Sequence, residues 1–263
     1  MFHSFRSLLS VVAAATTFFV STGSDLRAQV GERSRWDQVT LGNSYVGVDV
    51  IGWARTRNIG TERRVDEMAL TQLRLLNVNV ELQRIAATAA RINGTFSGST
   101  SFRRGGFTVR NDSLTNSGTV AYTSSASVFG SNPYVTVYIF GIPITVGANV
   151  GHTGVMNMYL GNWTNSDASV LSGLMESYAW GWASAAVGVP GLQAGVQAEI
   201  TIGRQRFDGV LGAYTNYIST AYLGYSMTPL RFYLRAFLQV VLTGSVTLVD
   251  VSLGARNLMP FIP

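Results

Sequence analysis

The feature that most constrains the fold of this chain is a hydrophobic alternation with a period of two, which recurs along most of its length. In GLQAGVQAEITIG, residues 191–203, every second residue from Leu192 to Ile202 is apolar, and the positions between them are mostly polar. Successive side chains of a β-strand point to opposite faces, so this pattern predicts a strand with one wet face. Similar runs at residues 45–55 and 230–253 indicate that strands dominate the chain.

The longest alternating run, residues 230–253, predicts a β-hairpin. Its even-numbered residues from Leu230 to Leu242 are apolar, and Thr243-Gly244-Ser245 is expected to form the turn. The opposite side mixes charged and polar residues with Tyr233 and Phe237, so both faces of this strand are partly apolar. Such a strand suits either the middle of a buried sheet or contact with lipid.

One segment departs from this alternation and is expected to form a short helix. In RVDEMALTQLRLL, residues 64–76, the apolar residues between Val65 and Leu76 fall at helical spacing. Asp66 and Glu67 would then occupy the first turn, where the helix dipole favours acidic side chains.

The first residues have the features of a secretory signal peptide. Arg6 supplies a positive charge, an apolar run extends from Leu8 to Val20, and small residues follow before a polar stretch. Cleavage is expected after Ala28, with Ser21-Thr22-Gly23 as a second small-residue site. The expected organisation is a signal peptide over residues 1–28, an N-terminal arm over 29–43 and a single β-rich domain over 44–263.

An exported protein can be stabilised by disulfides, but this sequence contains no cysteine. Disulfides, zinc–thiolate sites and thiol catalysis are thereby excluded. All nineteen basic residues are arginines, which also excludes mechanisms that need a lysine amine. Stability must come from packing, from backbone hydrogen bonds, or from a membrane or partner.

The net charge of +5 is unevenly distributed. Residues 29–110 hold twelve arginines against seven acids, residues 111–203 hold four acids and no arginine, and residues 204–263 hold five arginines against two acids. A basic patch attracts nucleic acid or anionic lipid when its charges are clustered, but here the arginines are dispersed among acids. The arrangement indicates ordinary solvated faces, and no nucleic-acid partner is predicted.

No catalytic constellation can be assembled from the sequence. His152 is the sole histidine outside the expected signal peptide, and Gly151-His152-Thr153-Gly154 is typical of a solvent-exposed turn. A general base would need an orienting acid and a nucleophile, and a metal site would need further ligands. A pair of carboxylates could perform glycosidic chemistry, and five lie near predicted strands: Asp49, Glu81, Glu176, Glu199 and Asp208. Such candidates arise by chance among fourteen acids, so the chain is expected to be no enzyme and to hold no cofactor or metal.

Aromatic residues form the most suggestive local pattern. Tyr178, Trp180 and Trp182 alternate along one face of SYAWGWAS, and Tyr134 and Tyr138 share a face of YVTVYIF. Three interpretations are open: an exposed ladder that stacks on sugar rings, an interfacial girdle in a membrane, and ordinary core packing, which is favoured. These five residues are the candidate ligand or interface site.

A proline-flanked strand unit recurs along the chain. Gly141-Ile142-Pro143 precedes ITVGANV, Gly188-Val189-Pro190 precedes GLQAGVQAEI, and Thr228-Pro229 is a looser instance. Proline cannot donate to a strand ladder, so each is interpreted as a corner between two strands. The stretches GIPITVGANVGHTG and AVGVPGLQAGVQAEITI resemble a pattern found in exported β-rich bacterial proteins of unknown function. The resemblance implies a bacterial, exported, β-rich protein and carries no activity or functional residues.

Together the patterns predict a mainly β fold with one short helix: an antiparallel meander of about ten strands that forms a β-sandwich or a closed barrel. The preferred function is that of an exported cell-envelope or extracellular protein with a structural, adhesive or binding role. The alternative is an outer-membrane β-barrel, porin-like or a small-molecule channel, against which the break and proline at the C-terminus argue. The expected location is extracellular, periplasmic or outer-membrane associated. The partner classes left open are a surface polysaccharide, a membrane and self-association.

Overall fold

The computed structural model of the chain describes residues 31–43, 45–76, 78–127, 134–162, 168–189, 192–214, 219–240 and 242–258. Within these ranges almost every residue lies in a β-strand, and the strands form two antiparallel sheets that pack as a sandwich and do not close into a barrel. The strands are β1 (Glu32–Gly42), β2 (Val46–Ile59), β3 (Glu62–Leu75), β4 (Val78–Ile92), β5 (Thr95–Arg104), β6 (Phe107–Leu114), β7 (Gly118–Ser127), β8 (Tyr134–Ile139), β9 (Ile142–Gly161), β10 (Ser169–Val189), β11 (Leu192–Ala213), β12 (Ser219–Val240), β13 (Leu242–Leu253) and β14 (Arg256–Leu258). The signal peptide expected over residues 1–28 lies outside the described residues.

The first sheet is a simple meander in the order β1-β2-β3-β4-β5-β6. Most of the segment predicted as an N-terminal arm, residues 29–43, is part of this sheet, because β1 pairs with β2 from Glu32 to Gly42. The β4–β5 turn is made by Asn93 and Gly94, both at positive φ, which is the backbone that a two-residue hairpin turn requires.

The short helix predicted over residues 65–76 is wrong, because this segment forms β3. Its neighbours pair with it along both edges, and Val65, Glu67, Ala69 and Thr71 alternate toward the other sheet and are buried. Asp66 is buried on the opposite face, where the Arg55 and Arg64 guanidinium groups and the Thr88 hydroxyl donate to its carboxylate. Met68 lies on the face of β3 opposite to Val65 and Ala69, and apolar residues on both faces produce a spacing that resembles a helix. Pairing on two edges overrides that local preference.

The second sheet has four central strands of 20 to 22 residues, β9 to β12. Its order is β13-β12-β11-β10-β9-β7, with β8 also on β9 and β14 also on β12. Each edge is therefore made by two strands in tandem, β7 and β8 on one side and β14 and β13 on the other. The hairpin predicted over residues 230–253 is present as β12 and β13, but Thr243–Ser245 lies within β13 and not in the turn.

The first sheet covers only part of the second sheet. Strands β9 to β12 contact β1 to β5 through the halves that hold the buried residues, and the core combines aromatic, aliphatic and methionine side chains. Its largest fully buried side chains are Tyr225, Phe102, Phe207, Ile85, Met156, Met158, Leu160, Leu171, Met175, Leu211 and Leu223. We call this part the body: β1 to β7, β14, and residues 151–162, 168–178, 203–214 and 219–229.

Beyond the body the second sheet continues as a single layer, which we call the extension. It consists of six strand segments in the order β8, 142–150, 179–189, 192–202, 230–240 and β13. At the boundary the Gly203 carbonyl accepts hydrogen bonds from Thr71 Oγ1 and Gln83 Nε2 of the first sheet, both at 3.2 Å. Gly203 has a φ of +61° and a side chain there would collide with Thr71. Pro229 lies within β12 at this boundary, so it marks an irregularity inside a strand and not the corner that was predicted.

Candidate functional site

One face of the extension is apolar at every position whose register is defined. Residues directly opposite each other in adjacent strands share a face. The strand register therefore shows on which of the two faces of the extension each side chain lies. One cross-strand row on this face consists of Val135, Val146, Ala185, Val196, Ala236 and Val246. We call this surface the apolar face.

The apolar face is uncovered. Fifteen of its aliphatic and aromatic side chains are between 37% and 65% exposed: Val135, Val137, Ile139, Ile142, Val146, Val150, Val187, Val189, Leu192, Val196, Phe232, Leu238, Val246, Val249 and Val251. On β9 this face leads without a change of register into the buried residues Met156, Met158 and Leu160. The first sheet thus covers this face of the second sheet in the body and leaves it bare in the extension.

The end of the extension farthest from the body, which we call the tip, carries an exposed aromatic side chain. Phe140 and Gly141 connect β8 to β9, and both have positive φ values, 50° and 79°. Phe140 is fully exposed, although a bulky residue is rarely found at positive φ and glycine or asparagine is preferred there. Unfavourable backbone of this kind is typically retained at functional sites.

The other face of the extension, the polar face, carries all four charged residues of this layer: Glu199, Arg231, Arg235 and Asp250. Arg231 forms a bidentate pair with Asp250, with Nε–Oδ1 at 2.9 Å and Nη2–Oδ2 at 2.7 Å. Arg235 donates to Gln197, whose amide donates to Glu199. A shallow depression of about 390 Å³ on this face is lined by Glu199, Thr201, Arg231, Tyr233 and Arg235. Two cations and two anions balance, so the extension carries no net charge.

Four of the five candidate aromatic residues lie on the polar face, and Tyr178 lies on the same side of the sheet just inside the body, but the five do not form one ladder. Tyr134 contacts Trp182 with ring centroids 5.3 Å apart, and Arg204 lies 5.6 Å from the centre of the Tyr178 ring. Trp180 packs over Gly151, where a side chain would collide with its indole. Tyr138 stands apart near the tip and is 73% exposed. Tyr178, Trp180 and Trp182 are half-buried near the boundary between the body and the extension, Tyr134 is 54% exposed beside them, and Tyr138 lies near the tip.

His152 occupies a buried position in β9 and not the exposed turn that was predicted. An Arg104 guanidinium nitrogen lies 2.7 Å from His152 Nε2, and the ring packs 6.0 Å from Phe102. Burial, with a smaller contribution from Arg104, lowers the His152 pKa to about 4. The imidazole is therefore neutral at physiological pH, and it accepts a hydrogen bond that joins the first sheet to the second.

The five carboxylates considered for glycosidic chemistry are held by separate partners. The closest polar contacts are Asp49 to Arg74 at 2.5 Å, Glu81 to Arg103 at 3.6 Å, Glu176 to Arg204 at 2.8 Å, Glu199 to Gln197 at 2.8 Å and Asp208 to Arg206 at 2.7 Å. Within the described ranges no group of three or more histidine, aspartate or glutamate side chains is arranged to hold a metal ion.

Glu67, which the sequence pattern placed in a helix, is a buried carboxyl group in the body. It faces the other sheet from between Ala54 and Ala87, and neither of its carboxyl oxygens has a hydrogen-bond partner among the described residues. Desolvation by burial raises its pKa to about 8. It is therefore largely protonated at neutral pH.

The apolar face was not predicted, although its signal is present in the sequence. The sequence shows the alternation of each strand and the partly apolar character of both faces of β12, but the register that aligns six apolar stripes is a property of the folded sheet. No helix in the described part of the chain is long and apolar enough to cross a membrane.

A comparison with protein-family models finds no match, and a comparison with curated proteins finds no significant match.

Proposed function

We propose that this is an exported, non-catalytic protein of the cell envelope or extracellular space whose role is binding, and that its partner is a lipid bilayer entered by the apolar face of the extension. The observation that carries the proposal is the fifteen exposed apolar side chains on one uncovered sheet face. Soluble monomers rarely expose a contiguous apolar patch larger than a few hundred Å², and larger patches mark interaction sites.

The height of the apolar face suits the hydrocarbon layer. Residues 179–189, 192–202 and 230–240 each supply eleven positions. At about 3.3 Å per residue and a tilt of about 45°, eleven residues span roughly 25 Å, which is the length that membrane-crossing strands use.

The distribution of charge favours lipid over a protein partner. The apolar face holds no charged residue, and residues 177–198 and 236–249, which include the strand ends at the tip, contain none on either face. Uncharged strand ends can enter hydrocarbon without the cost of a buried ion. Phe140 at the tip supplies a large, fully exposed apolar side chain whose transfer from water into hydrocarbon is favourable.

A polysaccharide ligand on the aromatic residues fits less well. Sugar stacking needs exposed rings in a row, whereas Tyr134 and Trp182 pack against each other and Trp180 packs on Gly151.

Flotation with phosphatidylcholine vesicles tests the proposal. The chain without residues 1–28 should move with the vesicles and should stay bound in 0.5 M NaCl, because no charge on the apolar face is screened by salt. Release by salt would contradict the proposal and would point to the dispersed arginines instead.

A matched pair of variants locates the contact. Ala185→Asp and Ser184→Asp introduce the same charge at adjacent positions on the apolar and the polar face. We expect Ala185→Asp to weaken vesicle binding by about 2 kcal/mol, roughly 30-fold, and Ser184→Asp to leave it unchanged. Equal effects of the two variants would contradict the proposal. A third outcome is that the unmodified protein does not bind vesicles but forms dimers in solution, and that Ala185→Asp disrupts these dimers. This outcome would mean that the apolar face binds a second copy of the chain.

A further inference from the structure

The two edges of the extension are open. Strand β8 pairs with β9 on one side and β13 pairs with β12 on one side, and the structure places no strand against their outer edges in the described ranges. All six residues of β8 are exposed. A strand edge carries a row of unpaired N–H and C=O groups, which is a template for pairing with another strand.

The edges of the extension lack the features that prevent association. The sequence of β8 is YVTVYI, with no charge, no proline and a high β propensity, and β13 contains a single charged residue, Asp250. The edge strands of the first sheet differ: β1 carries Glu32, Arg33, Arg35 and Asp37, and β6 carries Arg110 and Asp112. Charged edges are a common device against strand pairing, so this chain protects the edges of its first sheet and leaves those of its extension open.

The strand directions allow the two edges to meet. The extension has six strands that alternate in direction, so β8 runs toward the tip and β13 runs away from it. When β13 of one copy lies beside β8 of the next, the pair is antiparallel, as is every other pair in the sheet. Copies related by rotation would keep the apolar faces on one side and the polar faces on the other.

We propose that copies of this chain join through β8 and β13 into a closed ring in the membrane, with the apolar faces toward lipid and the polar faces around a water-filled passage. The inference rests on the proposed membrane function. Within hydrocarbon every backbone polar group must be paired, and an open sheet edge does not occur. The polar face, with Arg231, Asp250, Arg235 and Glu199, also needs water. A single six-stranded extension meets neither requirement, and a closed ring meets both.

Disulfide trapping tests the ring directly, because the native chain contains no cysteine. Thr136→Cys places a thiol on β8, and Thr247→Cys or Ser252→Cys places one on β13, all on the polar face. The two β13 positions allow for the stagger of about one residue per strand that closed rings require. In one chain β8 and β13 are five strand spacings apart, about 24 Å along the sheet, which is too far for a disulfide.

The variants are bound to phosphatidylcholine vesicles, floated, and oxidised with copper phenanthroline. We expect a ladder of dimers, trimers and larger species from one of the two β8–β13 double variants in the floated fraction, together with release of a trapped dye by the unmodified protein. The control pairs Thr136→Cys with Ser113→Cys on the charged edge strand β6 and should give no ladder.

The outcomes separate this inference from the function on which it rests. Three outcomes would overturn the ring while the membrane function stands. They are flotation without a ladder from either double variant, a dimer from the Thr136→Cys single variant alone, and a disulfide within one chain. Failure to float would remove the membrane function, and the ring with it.

Discussion

The body and the extension are built from the same four long strands with the same alternation, yet they differ in what covers one face and in what protects the edges. In the body the inward face of the second sheet is buried by the first sheet, and the outer strands of the first sheet are charged. In the extension the same face is bare and the edges are almost without charge. Alternation alone therefore predicts a strand with two unlike faces, whereas the environment of each face is decided by non-local packing.

The largest expected effect compares two phenylalanines. Phe102 is fully buried in the body against Gly154, whereas Phe232 lies on the apolar face and is 39% exposed. We expect Phe102→Ala to lower the free energy of unfolding by about 3–5 kcal/mol and Phe232→Ala by about 1 kcal/mol or less. Denaturant unfolding of the protein without lipid, followed by tryptophan fluorescence, measures both. Similar losses would mean that the apolar face is covered in solution.

The second effect concerns buried titratable groups of the body. The folded pKa of Glu67 is raised to about 8, so the folded state holds a proton that the unfolded state releases, and stability falls as pH rises between about 4.5 and 8. The folded pKa of His152 is lowered to about 4, so below about pH 6.5 the unfolded state binds a proton that the folded state does not. The stability that the neutral imidazole contributes is therefore lost as pH falls from about 6.5 to 4. The two slopes oppose each other from about pH 4.5 to 6.5, and only the Glu67 slope remains above that range.

Unfolding of the native chain should therefore require less free energy at pH 8 than at pH 6.5, by roughly 2 kcal/mol at about 1.4 kcal/mol per pH unit. In Glu67→Gln this decline should disappear, and the free energy of unfolding should instead rise from about pH 4 to 6.5 and then level off. Denaturant midpoints at half-unit pH intervals provide the measurement. A decline above pH 6.5 that persists in Glu67→Gln would show that another group causes it.

The sequence was a good guide to strand faces and a poor guide to context. Alternation from Leu192 to Ile202 predicted a strand, and the antiparallel, mainly β fold is confirmed. Residues 65–76 were assigned wrongly because the apolar residues on the two faces of β3 imitate helical spacing. His152 was assigned wrongly because a polar side chain in a glycine-flanked segment was assumed to be exposed, whereas it is buried in the body. The aromatic candidates were correctly placed on shared faces, but the grouping of Tyr134 with Trp182 depends on the pairing of β8 with β9, which local patterns do not encode.

The third effect concerns Phe140 at the tip, whose replacement should stabilise the fold in water and weaken binding to vesicles. Phe140→Gly removes a bulky side chain from positive φ, where residues other than glycine are disfavoured by about 1 kcal/mol, so we expect the free energy of unfolding in water to rise by about 0.5–1 kcal/mol. The same change removes the aromatic side chain at the tip and should weaken vesicle binding roughly tenfold. Denaturant unfolding and flotation on the same preparations test the pair. A change of the same sign in both measurements would show that Phe140 serves the fold and not the membrane.

The smallest effect separates the two faces of the extension by a single charge. Asp250 is exposed on the polar face and pairs with Arg231. Because solvent screens such a pair and its ordering costs side-chain entropy, Asp250→Asn should leave both the unfolding midpoint and flotation unchanged. If the polar face lines a water-filled passage, the uncompensated Arg231 should shift the reversal potential of a planar bilayer in a KCl gradient toward anion permeation. Weaker flotation, as expected for Ala185→Asp, would instead place Asp250 in contact with lipid and would contradict the division of the extension into an apolar and a polar face.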